Sequence, residues 1–535
     1  MRYSYPVLLG GEPRPGDGWY HWPHATAQLR ETYDVMKLKA QLDFGRAPEG
    51  AAEDPRLAGR VARSTPEQAK AALALAREAQ PAWARVPLAR RLAFAEAVHR
   101  ELLARAEEFT EVLVAEGHPL TVARWELASM LSATHPQSLR HARQALHWEG
   151  EQSGRRIRLV RKPDGVVGLN PALNAAALTS LFGVMVLAAG NALVVNAPSA
   201  APLGVAFLYQ EIIAPLLAEF GAPPGLLSML ASPTRPLLTS WLESADCDDV
   251  FWFGSADNGA KVAKSCLENG KKPILELSGN DALVVWRDAD LPQAARAAAE
   301  RYHASGQLCL SPKFTLVHPA VAQEFTELLL RQVAALRIGP PGDPEVLLSP
   351  VVKRAQCLDV MADAVEQGAQ LLCGGTLVDV DDVANPRGPF VRPVLLRVHG
   401  LTQARRMRAV REETFFPLMC VVVPEPAPDE DLLEKLIAFV NDNRYGLRNS
   451  LWARDPRVIE RFADEVVNGG LLRVNDSHIG PLPVLPLIGG TGLTGGVFGE
   501  GNLAYLRTTR LQGISQALDP SGPEIFDHLA AATAP

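Results

Sequence analysis

The chain has 535 residues, of which 47% are hydrophobic and 21% charged. These proportions are typical of a folded globular protein long enough for several domains, and they exclude a disordered or fibrous chain. Asp and Glu number 60 against 53 Lys and Arg, so the net charge of −7 provides no overall field that attracts nucleic acid. Six cysteines without a CxxC pair are too few for a disulfide framework. With no secretory signal at its start, we expect a cytoplasmic protein.

The apolar run Ala175–Val195 raises the alternative of a membrane span. Gly183 and Gly190 interrupt this run, so no uninterrupted part reaches the roughly 20 residues that cross a bilayer. We therefore expect no membrane span. The pattern instead predicts a buried helix over Ala176–Ala189, followed by a strand over Ala192–Val195 inside a parallel sheet that is covered on both faces.

Short apolar runs alternate with helical patterns along the rest of the chain. Repeated βα units of this kind predict an α/β fold with two doubly wound domains. Upstream, Pro66–Gln80 and Leu88–Ala115 have helical periodicity and are expected to pack on the first sheet. The later predicted strands are Leu226–Leu230, Asp249–Phe253, Pro273–Leu277, Ala282–Trp286, Phe314–His318 and Arg392–Val398, and the predicted helices are Leu203–Glu219, Leu237–Glu243, Asn258–Leu267, Leu291–His303, Ala320–Leu336 and Glu430–Asn443.

Two residues of catalytic type stand near predicted strands. Cys309 lies in the sequence SGQLCLSPK, on a loop between a helix and a strand, where a nucleophilic thiol has the access it needs. Taken alone, a cysteine is more often an inert core residue. Glu276 directly follows an apolar strand, at the sheet edge where open α/β folds bind ligands, and a buried carboxylate there suits a general base. A helix-capping or salt-bridged Glu is the ordinary alternative.

A third motif, FGSADNG, places Gly254, Ser255 and Gly259 between a strand end and a helix start. Such a turn offers backbone N–H groups and the positive end of a helix to a phosphate group. By itself the motif is weak, because many βα turns contain two glycines.

In this order and spacing, the three motifs resemble the aldehyde dehydrogenase superfamily of the NAD(P)-dependent, hydrolytic type. The interval between Glu276 and Cys309 is the one that this family shows between its glutamate base and its cysteine nucleophile. The resemblance covers roughly residues 60–515. The further matching residues are Gly165-Val166-Val167-Gly168 leading to Pro171 and Asn174, then Gly190-Asn191, Glu412–Pro417, Val474-Asn475, Gly489-Gly490, Gly495-Gly496 and Gly499-Glu500-Gly501.

The resemblance implies that the protein oxidises an aldehyde to a carboxylic acid with NAD or NADP. Cys309 would attack the aldehyde carbonyl, while the Asn174 amide and the Cys309 backbone N–H would stabilise the oxyanion. After hydride transfer to the nicotinamide, Glu276 would activate the water that hydrolyses the thioester.

The resemblance also implies which residues hold the dinucleotide. Gly254 and Ser255, in the same turn as Gly259, would face the pyrophosphate. Glu413 would hold the nicotinamide ribose, and Phe415 would pack beside the nicotinamide ring.

Two departures from the family pattern concern the cofactor and the substrate. Where the family usually places a Lys and a Glu near the adenosine ribose, this chain has Asn196 and Ser199. Ser199 removes a carboxylate that would repel a 2′-phosphate and Asn196 removes a charged phosphate partner, so NAD and NADP both remain open. Ala175 replaces an aromatic residue of the family's substrate tunnel, beside Thr179 and Phe182, which suggests a wide entrance suited to a bulky aldehyde.

We expect four units along the chain. Residues 1–62 form an irregular N-terminal arm, 63–278 a dinucleotide-binding domain, 279–478 a catalytic domain, and 479–535 a C-terminal segment. The resemblance adds a small β element for oligomerisation, with strands near 150–163 and near 505–511, and implies a homodimer or homotetramer. No Cys/His cluster has zinc-ligand spacing, so no metal is expected.

Two other functions compete with this interpretation. A CoA-acylating member of the family would transfer the acyl group to CoA, but such members usually lack the glutamate base that Glu276 supplies. A catalytically silent binding protein would tolerate Asn196 and Ser199, yet it would have no use for Cys309 and Glu276 together with Asn174 and Glu413.

Overall fold

Two seven-stranded sheets carry the fold of the computed structural model, which describes residues 1–152, 154–496 and 503–519. In the first sheet, five parallel strands continue into two antiparallel strands at one edge. The parallel strands are apolar because helices cover both of their faces. From edge to edge, the strands are Lys272–Glu276, Asp249–Phe253, Val166–Asn170, Ala192–Asn196, Leu227–Leu230, Val7–Leu9 and Glu12–Arg14.

The second sheet lies between residues 281 and 474 and is parallel except for one edge strand. That edge strand, Gln370–Cys373, runs antiparallel to Val394–His399. Both sheets confirm the predicted α/β class with parallel order. From edge to edge, the strands are Gln370–Cys373, Val394–His399, Leu418–Val423, Pro312–Val317, Asp281–Val285, Arg448–Trp452 and Leu471–Val474.

Helices cover both sheets, and several begin at residues that cap their free N–H groups. At the start of Pro66–Ala84, the Thr65 hydroxyl accepts from the Gln68 N–H at 3.1 Å, and the Gln68 side chain accepts from the Thr65 N–H at 2.9 Å. The helical pattern of Leu88–Ala115 corresponds to two helices, which meet at Arg105. The main helices are Pro66–Ala84, Leu88–Ala104, Ala106–Glu116, Leu120–Thr134, Pro136–Leu146, Thr234–Glu243, Ala256–Glu268, Leu291–Ala299, Ala322–Ala334, Arg354–Glu366, Asp429–Asn441 and Pro456–Glu465.

The apolar run Ala175–Val195 is wholly buried, but its helical part is not one helix. The expected helix divides at Leu181 into Ala176–Ser180 and Phe182–Ala189, and Gly190 ends the second part with a φ of 103°. A strand, Ala192–Asn196, follows as expected. Among the described residues, no helix has both the length and the apolar character to cross a membrane.

The expectation that residues 1–62 are irregular is wrong. The strand Val7–Leu9 pairs antiparallel with Leu227–Leu230 and so extends the first sheet. Because most of these strands are only three residues long, their side-chain alternation is too short to read from the sequence. The other elements are the strands Tyr3–Tyr5, Glu12–Arg14, Trp19–Pro23 and Leu57–Ala62, and the helices Ala25–Arg30 and Thr32–Asp43.

A separate antiparallel sheet of three strands joins the middle of the chain to its C-terminal part. The central strand, Arg155–Pro163, pairs with His147–Gln152 on one side and with Thr509–Ala517 on the other. The C-terminal strand thus begins at Thr509, and Tyr505 lies in the one-turn helix Ala504–Arg507. Residues 520–535 and the Gly499-Glu500-Gly501 motif lie outside the described residues.

Candidate active site

A cavity of about 430 Å³ opens where strands of the first sheet end, the edge at which α/β folds place ligands. Asn170, Phe253 and Glu276, the last residues of three neighbouring strands, all line it. The loop that precedes strand Pro312–Val317 of the second sheet also lines the cavity, through Leu308, Cys309 and Leu310. Seven predicted site residues line this one cavity, namely Cys309, Glu276, Asn174, Gly254, Ser255, Glu413 and Phe415.

The Cys309 loop and the loop after Glu276 are in direct contact. A Cβ atom placed on Gly279 would lie 2.4 Å from the Cys309 carbonyl oxygen, so only glycine permits this approach. The Gly279 N–H also donates to Glu413 Oε1 at 2.9 Å. Gly279, three residues after Glu276, therefore brings the backbone of Cys309 and the side chain of Glu413 close to the same loop.

Three consecutive residues before the Cys309 loop adopt left-handed backbone conformations. Ala304, Ser305 and Gly306 have φ values of 50°, 55° and 70°. Such a conformation costs a non-glycine residue roughly 1–3 kcal/mol. Ser305 is held there by Ser349, because its hydroxyl donates to the Ser349 carbonyl at 2.6 Å and accepts from the Ser349 N–H at 2.9 Å. This sharp turn presents Cys309, which is half-buried, to the cavity.

Asn174 lies on the helical turn Leu173–Ala175 and reaches the same loop. Its amide Nδ2 donates to the Gln307 carbonyl at 2.9 Å, which leaves the second N–H of that amide for another partner. The backbone N–H of Cys309 donates to no residue within the described part of the chain. Two hydrogen-bond donors are therefore available close to the thiol.

Glu276 ends its strand with a side chain that is only 3% exposed. Its Oε2 accepts from the Gly489 N–H at 2.6 Å, so the backbone of a predicted motif fixes the direction of the carboxylate. Glu276 and Cys309 line the same cavity, as the predicted chemistry requires.

The predicted phosphate-binding turn is exposed at the cavity edge. Gly254 and Ser255 precede the helix Ala256–Glu268, and the Ser255 hydroxyl caps that helix. Gly259 does not line the cavity. It is buried, and a Cβ atom there would lie 2.2 Å from a methyl carbon of Leu277. The structure thus gives Gly259 a packing role, which allows the helix to approach the strand.

The two predicted adenosine contacts lie outside the cavity lining. Asn196 is fully buried, its amide donates to Asn170 Oδ1 at 3.0 Å, and its oxygen accepts from the Ser232 N–H at 3.3 Å. Both ends of the Asn196 side chain are therefore engaged within the protein. Ser199 is half-exposed, next to Pro198, which does line the cavity.

The surroundings of Cys309 favour the protonated thiol. Burial, and then the carboxylates of Glu276 and Glu413, raise the pKa of Cys309 to about 12, while Lys313 acts in the opposite direction. In the free protein Cys309 is therefore protonated, and a local positive charge or a proton acceptor is needed to form the reactive thiolate.

Sequence reasoning missed two buried cations beneath the site, Arg301 and Lys313. Arg301 donates to the carbonyls of Gly306 at 3.0 Å, Thr414 at 2.7 Å and Leu418 at 2.8 Å. It therefore ties the nucleophile loop to the segment that carries Glu413. The available signal was a lysine within a mostly apolar strand of a parallel sheet, where charged residues are rarely buried without a reason.

We expect Arg301→Met to lower the free energy of unfolding by about 3–5 kcal/mol, because it leaves several buried carbonyl groups without donors. Arg454→Met is a matched control: Arg454 is mostly exposed and its ion pair with Asp290, at 3.5 Å, is a surface one, so a loss below about 1 kcal/mol is expected. Denaturant unfolding of both variants measures the difference. Equal stabilities would contradict the structural role given to Arg301.

Comparison with known proteins identifies the family of this chain. The aldehyde dehydrogenase family matches residues 52–509 of the chain. Vanillin dehydrogenase of Pseudomonas fluorescens is 30% identical over 482 residues, which cover 85% of this chain and 92% of that protein. Benzaldehyde dehydrogenase [NAD(+)] of Pseudomonas putida is 28% identical over 463 residues, covering 85% and 90%.

The fold has a close counterpart among solved structures. The crystal structure of an NAD-dependent aldehyde dehydrogenase from Sinorhizobium meliloti superimposes with a TM-score of 0.79 at 22% identity, over 98% of this chain and 97% of that one. Because the family match spans most of the chain, the chain belongs to the aldehyde dehydrogenase family, whose reaction is the NAD(P)-dependent oxidation of aldehydes.

Proposed function

We propose that this protein oxidises an aldehyde to the free carboxylic acid, with NAD or NADP as hydride acceptor, through a thiohemiacetal and a thioester on Cys309. The observation that carries the proposal is that Cys309, Glu276 and Asn174 line one cavity. These are a nucleophile, a buried carboxylate and an amide donor, which together suffice for acyl chemistry.

The chain's own residues account for the charge and proton changes. The Cys309 thiol first loses its proton to solvent water. Its Sγ then bonds to the carbonyl carbon, and the oxyanion accepts hydrogen bonds from the Cys309 N–H and the free N–H of the Asn174 amide. Bound NAD(P) supplies the acceptor for the hydride that leaves this carbon. Glu276 then takes a proton from the water that attacks the thioester, and the acid leaves as the thiol is restored.

The exposed turn at Gly254 and Ser255 fits a dinucleotide pyrophosphate. It stands at the N-terminal end of the helix Ala256–Glu268, where the helix dipole favours anions, and it lines the same cavity as Cys309. Glu413 and Phe415 line the same cavity, where they would contact the nicotinamide riboside. Asn196, with both ends of its amide engaged, does not fit as a ribose ligand in this conformation.

We also propose the larger-scale organisation that the sequence suggested. Residues 63–278 would bind the dinucleotide and residues 279–478 would carry the nucleophile, with the cavity between their sheets. The separate three-stranded sheet exposes Trp148, Leu159 and Leu511, an apolar surface that suits a homodimer or homotetramer. All six cysteines are free, which fits a reducing cytoplasm.

A panel of aldehydes with NAD and with NADP tests the proposed function. We expect aldehyde-dependent growth of NAD(P)H absorbance and formation of the acid, with benzaldehyde-sized substrates turned over faster than acetaldehyde. The reason is the broad apolar lining, which includes Trp125, Leu173 and Trp252. Much faster oxidation of acetaldehyde would contradict the wide entrance, and absence of turnover with either cofactor would contradict the proposal itself.

A further inference from the structure

The second residue of strand Pro312–Val317 is a lysine with no exposed surface. An ammonium group in such a position is costly unless its hydrogen bonds are satisfied. Lys313 Nζ donates to the Leu308 carbonyl at 2.5 Å and to Ser311 Oγ at 3.1 Å. It makes no ion pair with a carboxylate among the described residues. Its main partner is therefore a single peptide carbonyl.

That carbonyl belongs to the peptide group that carries the Cys309 N–H. The chain has no cis peptide bond within its described part, so the Leu308 C=O and the Cys309 N–H point in opposite directions. With the C=O directed at Lys313, the N–H is directed away from it, and it has no partner of its own among the described residues.

A positive charge on one end of a peptide group strengthens the donor at the other end. Hydrogen bonds in series polarise one another, and the effect is larger in a medium of low dielectric constant. Ser311 adds to the same carbonyl, since its hydroxyl donates to the Leu308 oxygen at 3.0 Å and accepts from Arg301 Nη1 at 3.0 Å. Arg301, Ser311 and Lys313 thus form a positive network directly behind Cys309.

We propose that Lys313 is a positioning residue for the oxidation, whose ammonium group polarises the Leu308–Cys309 peptide and so stabilises negative charge on the Cys309 sulfur and on the oxyanion bonded to its N–H. The inference rests on the proposed function, to which it adds a charge that drives the first chemical step. Lys313 itself need not touch the substrate.

The charge on Lys313 depends on pH. Burial, and then the positive charge of Arg301, lower the pKa of Lys313 to about 7. The ammonium form is therefore present below that pH and is lost as the pH rises through it, unless negative charge on Cys309 retains the proton. The ionisable groups that act on Lys313 or respond to it are Arg301, Glu413, Asp281, Cys309 and His478.

The first test is the rate of NAD(P)H formation in a single turnover. We expect Lys313→Met to slow it about tenfold, less than the loss of a direct oxyanion donor, with little change in the KM for the dinucleotide. Lys313→Gln, a neutral donor, should be nearly as slow, and Lys313→Arg should recover most of the rate. Lys435→Met, which removes an exposed lysine on a distant helix, is the control and should leave the rate unchanged.

The second test needs no aldehyde and follows alkylation of Cys309 by iodoacetamide across pH, read by peptide mass spectrometry. Loss of Lys313 should slow alkylation by about tenfold below pH 7, where Lys313 carries its positive charge, because a nearby positive charge favours the thiolate. The difference between the variant and the unaltered protein should shrink as the pH rises through 7 and the ammonium form is lost. Glu276, Glu413 and Asp281 also act on this thiol and are unchanged in the variants.

Unchanged alkylation and unchanged single-turnover rates in a folded Lys313→Met or Lys313→Gln variant would overturn the inference and leave the proposed function intact. Slow but identical behaviour of the Met, Gln and Arg variants would also overturn it, since that pattern reports only damaged packing. If the unaltered protein reduces no cofactor, the proposed function fails, while the alkylation profile still decides whether Lys313 acts on Cys309.

Discussion

Cys309→Ala is expected to remove aldehyde-dependent formation of NAD(P)H, by about 10⁴-fold or more, because no other group can form the thiohemiacetal from which hydride leaves. The substitution removes one sulfur atom from a half-buried position, so the fold and the dinucleotide site should remain. Turnover assays measure the loss. Calorimetric titration with NAD and NADP should give affinities close to those of the unaltered protein.

Cys373→Ala is a matched control for this experiment. Cys373 is also half-buried, but it lies on the edge strand of the second sheet and does not line the cavity. The Cys373→Ala variant should keep an activity within about twofold of that of the unaltered protein, as is usual for a substitution away from functional groups. A fully active Cys309→Ala variant would exclude covalent catalysis at this position.

Glu276→Gln should separate the two halves of the reaction. The first NAD(P)H should still form, because the attack on the aldehyde uses Cys309, but steady-state turnover should fall by about 10²–10⁴-fold for want of a base. The amide oxygen of glutamine can still accept from the Gly489 N–H, so the local geometry is kept. Stopped-flow absorbance should show a burst near one equivalent per site, and intact mass spectrometry should show the acyl-enzyme.

Hydroxylamine provides a rescue for this variant, since it attacks a thioester without help from a base and should restore turnover. Glu268→Gln, at the exposed end of the helix Ala256–Glu268, is the control and should behave like the unaltered protein. Normal steady-state turnover by Glu276→Gln would show that another group activates water. Loss of the burst itself would place Glu276 in the first half of the reaction.

Local sequence patterns were sufficient to predict the buried parallel strands. Asp249–Phe253 lies where its apolar run predicted, and Ala192–Asn196 differs by one residue. Such strands are apolar at every position because both faces are covered, and turn residues delimit them clearly. The three-residue strands of the first 62 residues carry no comparable signal, since their pairing with distant partners, such as Leu227–Leu230, decides their conformation.

For the site, the family motifs led to residues that share a cavity, but not to the contacts that each one makes. Gly259 belongs to the predicted turn motif and Asn196 stands where the family usually has a lysine, yet the structure packs Gly259 against Leu277 and bonds Asn196 to Asn170 and to the Ser232 backbone. Motif position gives the chain location of a residue and not its hydrogen-bond partners. Lys313 belongs to no family motif. Its proposed role depends on a hydrogen bond to the Leu308 carbonyl, which forms only in the folded chain.

The N-terminal strands have a practical consequence for any shortened form of this protein. The family match begins at residue 52, after Val7–Leu9 and Glu12–Arg14 have joined the first sheet. Without them, Leu227–Leu230 would become a bare edge whose unpaired N–H and C=O groups invite pairing with other chains. A truncation at the start of the family match would therefore create an aggregation-prone surface.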